Sequence, residues 1–472
     1  MNNNFWKFGA ADLSAAYRSG SADPVAVAQE LTQRIKALNP KINAYVALAP
    51  DLIEQADASR KRYQDQRPAS ALDGVPVAVK DNLRVAGLPT AWGGHTFGEI
   101  AAKDELPVAR LRATGAMIVG KTNTPEFAVE GYTGNQRFGV TRNPWNTELT
   151  PGGSSGGSVA AVAAGLATLA IGTDGGGSTR RPAGHTGLYG LKPGIGCIPR
   201  SGGLPQILMD FEVIGTFTRN IEDLKLLHSA LAGPDRSDPI SRSFVIPVVD
   251  HGKLRVLSVP VLNNNPCDHE ILDATRKLAQ RLMDLGHQVT EADLPVNLER
   301  INDYWGAFAQ IGLANLCETV PKMRDHAGKS YLEMADAGAK IPAHQLFAAL
   351  TAVRDLRIDV SQLFTDYDVI LMPTAAAQPW PAGQTHPTVI DGIKTGPRGH
   401  AIYTGWVNAA GHPSIAVPAG FDQSGMPIGC QLIADLGSET QLLALAQDLS
   451  DQAPNWRWPE LATLSTGSSE PD

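Results

Sequence analysis

The stretch from Pro151 to Pro193, PGGSSGGSVAAVAAGLATLAIGTDGGGSTRRPAGHTGLYGLKP, decides how this chain folds. It contains two Gly/Ser clusters, at 152–158 and 175–178, on either side of an apolar segment whose length fits one helix and one short strand. Glycine permits positive φ and close approach to the main chain, so dense glycine beside serine indicates a site that uses hydroxyls and backbone N–H groups. The stretch therefore predicts two serine-bearing loops that lie near each other.

Two other interpretations of these clusters fit less well. The G-x-S-x-G pattern occurs at 152–156 and 153–157, but the nucleophile turn of α/β-hydrolases follows a buried strand, whereas residues 142–151 are polar and twice interrupted by proline. A phosphate-binding loop would end in Lys-Ser or Lys-Thr, and Ser158-Val159 stands there instead. Neither an esterase turn nor nucleotide binding is favoured.

Outside this stretch the sequence alternates between helix and strand patterns. One helix is predicted to begin at Pro24 and to end before Asn39-Pro40, and another to end at Gly115. Three more are predicted over 50–63, 221–231 and 271–285. Strands are predicted over 75–79, 116–120, 254–259, 368–372, 414–417 and 428–433, and a long loop over 126–146. Residues 300–365 are mostly helical by pattern, as in a cap or peripheral lobe. Because the strands before and after this section both have core-like patterns, one interrupted domain is favoured over two sequential ones.

Composition narrows the class of protein. Hydrophobic residues make up 43% of the chain and its net charge of −8 is scattered, so we expect a globular protein that binds no nucleic acid. The longest apolar run, Val159 to Ile171, is too short to span a bilayer, so no membrane partner is expected. The start of the chain lacks the basic and apolar regions of a signal peptide, and four widely separated cysteines fit reduced thiols, so we predict a cytoplasmic protein.

Metal and cofactor signatures are missing from the sequence. The eleven histidines show neither His-Glu-x-x-His nor another close ligand spacing, so we predict no metal site and no cofactor.

Lys80 is the residue that suggests a catalytic role for the two serine clusters. It ends the predicted strand, where a lysine is usually a solvated charge. A serine hydroxyl is a poor nucleophile until a base takes its proton, and the sequence offers no assured histidine for that task. A lysine can act as the base when burial or nearby positive potential keeps it neutral. Lys80 is therefore a candidate base.

At this level of detail the sequence resembles the amidase signature family. The central stretch matches the family signature: GGSSGGS, a helix of small residues, GTD-x-GGS, an arginine, Pro-Ala and Gly-Leu-Lys-Pro. Further blocks that resemble the family are LDGVPVAVKDN (72–82), GKTNTPEFA (120–128), FGVTRNPWN (138–146), DVILMPT (368–374) and GHPSIAVPAGF (411–421). Together they span most of the chain in the expected order.

The resemblance implies a Ser–cis-Ser–Lys triad made of Lys80, Ser154 and Ser178. Ser178 matches the nucleophile, Ser154 the bridging serine whose preceding peptide bond from Gly153 is cis, and Lys80 the base. The backbone N–H groups of Gly175, Gly176, Gly177 and Ser178 would hold the oxyanion.

The resemblance also suggests supporting residues. Ser155 would stabilise the cluster by hydrogen bonding, and Asp174 and Arg180 match family positions, with structural pairing favoured over direct chemistry. Arg181 is a candidate for binding a substrate carboxylate, although structural pairing is favoured for it too. Tyr132 and Trp406 are candidates for an acyl or aryl pocket, with ordinary core positions as the alternative.

We therefore predict one α/β/α domain over residues 1–462, with a central mixed, mostly parallel sheet covered by helices on both faces. Packing helices would occupy about 1–70, and residues 463–472 would form a disordered tail. The expected activity is hydrolysis of a small or aryl amide, or of a carbamate, by a chain that forms a homodimer. The alternatives are the glutaminase subunit of a tRNA-dependent amidotransferase and a non-catalytic amide-binding relative.

Overall fold

The structure is a computed structural model that describes residues 4–244, 252–453 and 456–464. Eleven of its strands form a single sheet in the order β1-β3-β2-β6-β8-β7-β14-β15-β11-β9-β10. The strands are Tyr45–Leu48 (β1), Pro76–Lys80 (β2), Met117–Thr122 (β3), Gly134–Asn135 (β4), Gly139–Val140 (β5), Leu169–Asp174 (β6), Tyr189–Lys192 (β7), Val213–Thr218 (β8), Arg255–Ser258 (β9), Gln288–Glu291 (β10), Val369–Pro373 (β11), Val389–Ile390 (β12), Ile393–Lys394 (β13), Ser414–Phe421 (β14) and Pro427–Ala434 (β15). The four strands outside the sheet form two small hairpins, β4–β5 and β12–β13.

Helices cover both faces of this sheet, as predicted. They are Ala10–Ser19 (α1), Pro24–Ile42 (α2), Leu52–Gln64 (α3), Leu106–Ala113 (α4), Gly156–Ala163 (α5), Arg180–Thr186 (α6), Ile221–Leu231 (α7), His269–Asp284 (α8), Glu299–Thr319 (α9), Met323–His326 (α10), Lys329–Gly338 (α11), Ala343–Leu363 (α12), Gly405–Ala410 (α13), Glu439–Asp451 (α14) and Glu460–Thr463 (α15). Val256 and Leu257 are neighbours in β9 and point to opposite faces of the sheet. Val256 packs in a core with α7, α8 and α14, and Leu257 packs in a core with α9, α12 and α13. The chain is therefore an α/β protein with a core on each side of the sheet.

The prediction of a mostly parallel sheet is wrong. The parallel neighbours are β2–β3, β2–β6, β9–β10 and β9–β11. The other six neighbouring pairs are antiparallel. Hydrophobic periodicity does not report strand direction, and the links from β7 to β8 and from β14 to β15 contain no α-helix of the kind that joins parallel strands.

The predicted end of α2 is also wrong. Asp23 caps this helix by accepting the Val25 N–H at 2.8 Å, and its apolar face is buried as expected, but the helix continues through Pro40 to Ile42. Pro40 has no N–H to donate to the carbonyl of Lys36, but the Asn43 N–H still donates to Asn39 O at 2.7 Å, so the last turn closes around the proline.

The helical section after residue 299 is not peripheral throughout. In α12, Val353 and Val360 lie in the same core as Ile370 and Met372 of β11, so this helix covers the sheet. The helices α9 and α11 pack on each other, and α9 also contributes Ile301 and Phe308 to that same core. Thr463 ends α15, and residues 465–472 of the predicted tail lie outside the described residues.

None of the described helices combines the length and the apolar character that crossing a membrane requires.

Candidate active site

Lys80 is fully buried at the end of β2. Its Nζ donates to Ser154 Oγ at 2.8 Å and to Thr173 Oγ1 at 3.1 Å. Because β2 and β6 are parallel neighbours, Lys80 and Thr173 reach the same edge of the sheet. Among the described residues Lys80 has no ion-pair partner, so a buried amine meets only hydroxyl and carbonyl oxygens.

Burial gives this amine an unusual pKa. Loss of solvent lowers the pKa of Lys80 from 10.5 to about 7, although the negative charges of Glu212 and Asp174 oppose the shift. A substantial fraction of Lys80 is therefore neutral near pH 7, and a neutral amine can accept a proton.

The first Gly/Ser cluster places Ser154 between Lys80 and the second cluster. Ser154 lies just before α5, its peptide bond with Gly153 is cis as expected, and its Oγ donates to Ser178 Oγ at 2.9 Å. A Cβ on Gly153 would lie 2.2 Å from the carbonyl oxygen of Tyr132, so only glycine allows the main chain to approach so closely. Ser155 supports the cluster, as predicted, by donating to Thr173 O at 3.2 Å.

Ser178 ends the second cluster, in the loop between β6 and α6, and is 6% exposed. Of the four predicted oxyanion donors, Gly177 is already engaged, because its N–H donates to Asp174 Oδ1 at 2.6 Å. The N–H groups of Gly175, Gly176 and Ser178 donate to no acceptor among the described residues. An oxyanion hole at this loop would therefore use those three donors and not Gly177.

Asp174 and Arg180 form the structural pair that the sequence predicts. The two fully buried side chains are linked by Arg180 Nη2 to Asp174 Oδ1 at 3.1 Å. Burial alone would raise the pKa of Asp174, but the charge and hydrogen bonds of Arg180 hold it well below its usual range. Asn408 also donates to Asp174 Oδ1, at 2.9 Å. Asp174 thus holds the second loop through Gly177 while its own charge is neutralised.

Arg181 ties the two serine loops together. Its Nη1 donates to the carbonyl oxygen of Gly176 and, at 2.7 Å, to Thr404 Oγ1. Its Nη2 donates to Gly153 O at 3.4 Å. Gly153 and Gly176 lie one and two residues before Ser154 and Ser178, so one guanidinium fixes the spacing of both serine loops.

A cavity of about 240 Å³ opens beside Ser178. Apolar side chains on one part of its wall are Ala128, Val129, Leu208, Trp305, Ala309 and Met334. Polar side chains on the rest are Glu130, Arg181, Gln310, Arg398 and His400. An apolar wall with a few polar groups is typical of a small-molecule site.

Only one of the three predicted pocket residues lines this cavity. Arg181 lines the cavity. Trp406 lies on α13 and is 2% exposed in the core, and Tyr132 contacts Gly153 through its main chain. The aromatic side chain in the wall is Trp305, from the helical section that the sequence pattern assigns to the periphery. No signal in the sequence singles out Trp305, Arg398 or His400, because the pocket is assembled from segments far apart in the chain.

Comparison with known proteins places the chain among the amidases. A family model described as Amidase matches residues 26–443. The chain is 34% identical to a subunit of the glutamyl-tRNA(Gln) amidotransferase of Symbiobacterium thermophilum, over 93% of this chain and 95% of that protein. It is 32% identical to an acylamidase of Rhodococcus erythropolis, over 94% and 95%. A solved bacterial aryl acylamidase of the amidase signature family superposes with a TM-score of 0.87, at 28% identity, over 97% of this chain and 98% of that one.

Proposed function

The chain belongs to the amidase family of hydrolases, and from that premise we propose that it cleaves a small or aryl carboxylic amide through an acyl-enzyme on Ser178. Carbamates, which present a similar carbonyl, form a second class of substrate. The observation that carries the proposal is the continuous chain of contacts from Lys80 through Ser154 to Ser178, beside a cavity of small-molecule size.

The contacts support a proton relay. When Lys80 is neutral, both hydrogen bonds can reverse, so that Ser178 donates to Ser154 and Ser154 donates to Lys80. Ser178 Oγ then forms a bond to the amide carbonyl carbon while its proton passes to Ser154 and the proton of Ser154 passes to Lys80. The N–H groups of Gly175, Gly176 and Ser178 would stabilise the oxyanion that forms.

The remaining steps use the same groups. The C–N bond breaks, and the departing amine takes a proton from Ser154, which regains one from Lys80. Water then attacks the acyl carbon and gives its proton to the relay, and Ser178 leaves with a proton restored to its oxygen. The products are a carboxylic acid and ammonia or an amine.

A panel of amides tests the proposal directly. The purified chain should release ammonia from pentanamide or benzamide, or 4-nitroaniline from 4-nitroacetanilide, and the Ser178→Ala variant should not. A brief reaction stopped with acid should leave an acyl group on the peptide that contains Ser178, as detected by mass spectrometry. Turnover by a folded Ser178→Ala variant, or an acyl group on another residue, would contradict the proposed nucleophile.

The identity to amidotransferase subunits favours a second candidate, a glutaminase subunit that works within a larger assembly. This candidate predicts that the isolated chain is inactive on simple amides and releases ammonia from glutamine only when partner subunits are added. Turnover of simple amides by the chain alone would exclude the requirement for partners.

A further inference from the structure

Three basic side chains gather on one part of the cavity wall. Arg181, Arg398 and His400 line the cavity together with Ser178. Neither arginine forms an ion pair with a carboxylate in the described ranges, although Arg180 and Arg357 each have one carboxylate partner and Arg200 has two. Because the whole chain carries a net charge of −8, this basic wall does not follow from a basic composition.

Arg398 stands at the mouth of the cavity. Its guanidinium lies over the ring of Trp305, 5.0 Å from the centroid, and among the described residues it donates to no acceptor. Arg398 is exposed to solvent; partial desolvation against the cavity wall lowers its pKa to about 10, which still leaves it charged at neutral pH. This cation–π contact holds the guanidinium beside the indole ring and leaves its N–H groups free for a ligand.

His400 adds unused hydrogen-bonding groups to the same wall. It is 3% exposed, and neither ring nitrogen has a partner in the described part of the chain. The Nε of Arg181 is likewise buried and unpartnered. Burial, and then the charges of Arg181 and other basic groups, lower the pKa of His400 well below its usual range, so the ring is neutral and can donate one hydrogen bond. Buried polar groups are nearly always paired with a protein group, an ordered water or a ligand, so these nitrogens are available to a molecule in the cavity.

The cavity also contains one acidic side chain among the described residues, Glu130, whose chain neighbour Gly131 lies against the ring of His400. Glu130 lies near Tyr132 and Tyr331, whose pKa values its charge raises, and it is not among the groups that shift His400 or Arg398. Burial raises the pKa of Glu130, which weakens its negative charge. In the described ranges Glu130 forms no ion pair with Arg181 or Arg398.

From this arrangement we propose that the cavity selects amides that carry a carboxylate, which pairs with Arg398 and accepts a hydrogen bond from His400. The inference rests on the proposed amide hydrolysis at Ser178 and names its substrate class. Arg181, whose Nη groups already hold the serine loops, offers only its Nε to the ligand. The apolar side chains of Leu208 and Trp305 would contact the carbon chain of the substrate between its carboxylate and its scissile amide.

Three primary amides of matched length test the selection: pentanamide (neutral), glutaric acid monoamide (anionic) and 4-aminobutanamide (cationic). We expect kcat/KM, measured by ammonia release, to be highest for the anionic amide by about tenfold or more, the gain given by a hydrogen bond to a charged group. A second pair, N-propylacetamide and N-acetyl-β-alanine, places the carboxylate on the amine side, and the same preference there would equally support the inference.

Arg398→Gln should reduce the anionic-to-neutral ratio of kcat/KM about tenfold, and Arg398→Lys should restore part of it. The control is Arg354→Gln on α12, where the side chain is 71% exposed and outside the cavity; it should leave the ratio unchanged. A wild-type preference for the neutral or cationic amide, or a ratio that Arg398→Gln does not change, would overturn the inference.

Binding separates this inference from the proposed reaction. If no amide is turned over, calorimetry on the Ser178→Ala variant still compares glutaric acid monoamide with pentanamide. Tighter binding of the anionic amide, lost when Arg398→Gln is added, would support the anionic site although the reaction had failed. Equal affinities, or no binding of either, would reject the site. Turnover of neutral amides without an anionic preference would leave the hydrolase intact and remove only the inference.

Discussion

The Nζ of Lys80 donates a hydrogen bond of 2.8 Å to the Oγ of Ser154 at a point where neither side chain is more than 1% exposed. The contact joins a buried amine to a buried hydroxyl without a carboxylate to hold the positive charge. Its chemical behaviour therefore depends on whether the amine carries a proton.

The first prediction concerns the pH dependence of the rate. A lysine with a lowered pKa is protonated below that pKa and neutral above it, so the active form increases as the pH rises through about 7. We expect kcat/KM to fall about tenfold per unit below pH 7 and to level off above it. Lys80→Arg, which stays protonated, should lower kcat/KM by about three orders of magnitude or more. A wild-type profile that is flat from pH 5 to 8 would remove Lys80 as the titrating base.

The second prediction concerns the relay as a unit. Lys80→Ala and Ser154→Ala should each reduce kcat strongly, and the double variant should cost little more than the worse single variant, because both act on the same proton. Ser155→Ala is the matched control: it removes a hydroxyl that contacts only Thr173 O in the described structure, and it should cost about tenfold or less. Multiplicative effects of the two single variants would indicate independent roles.

The third prediction concerns Arg181 as a positioning residue. Arg181→Lys keeps the charge but cannot bridge Gly153 O, Gly176 O and Thr404 at once, since an ammonium is not a planar fork. We expect kcat to fall by about ten- to a hundredfold with a smaller change in KM for a neutral amide, because the serine loops lose their alignment. A change confined to KM would instead mean that Arg181 only contacts substrate.

The fourth prediction concerns the free energy of unfolding. Asp174→Asn leaves Arg180 buried without its counter-charge and should destabilise the fold by about 3–5 kcal/mol. The pKa of Asp174 is lowered in the fold, so its contribution is present above pH 4 and is lost as the pH falls below the unfolded value of 3.8. The difference between wild type and variant in urea unfolding should therefore shrink in acid. If the difference in the free energy of unfolding is independent of pH, the lost stability comes from packing and not from the charge of Asp174.

The fifth prediction separates stability from activity at His400. Replacing a buried ring that has no hydrogen-bond partner among the described residues by an apolar one of similar shape should be nearly neutral or stabilising. We expect His400→Phe to keep or raise the melting temperature and to lower kcat/KM for the anionic amide about tenfold. A large loss of stability would show that His400 has a structural partner, and unchanged kinetics would remove it from the binding site.

The contact between the three groups of the proposed relay could be predicted from the sequence because they lie in short motifs. Ser154 and Ser178 fall within a single stretch, and Lys80 ends a strand whose valine pattern is clear. Such motifs are local, so a sequence displays them without the fold.

The pocket could not be predicted in the same way. Trp305 and Arg398 are more than 120 residues from Ser178 along the chain, and a helical pattern does not say which of its residues turns to a cavity. Strand direction could not be predicted for a similar reason. Side chains alternate between the two faces with a period of two residues in both parallel and antiparallel strands. Likewise, Tyr132 and Trp406 are aromatic residues close to signature blocks, but neither lines the cavity. Tyr132 contacts Gly153 through its main chain, and Trp406 lies in the core.

The division of the site along the chain has a practical consequence. Every group of the proposed relay lies within residues 80–178, whereas Trp305 and Met334 belong to the two packed helices α9 and α11 within Glu299–Gly338. A gene fragment encoding this pair of helices could be exchanged between homologues, or randomised in a library for directed evolution, while the codons for the relay stay untouched. New amide preferences can thus be selected without rebuilding the catalyst.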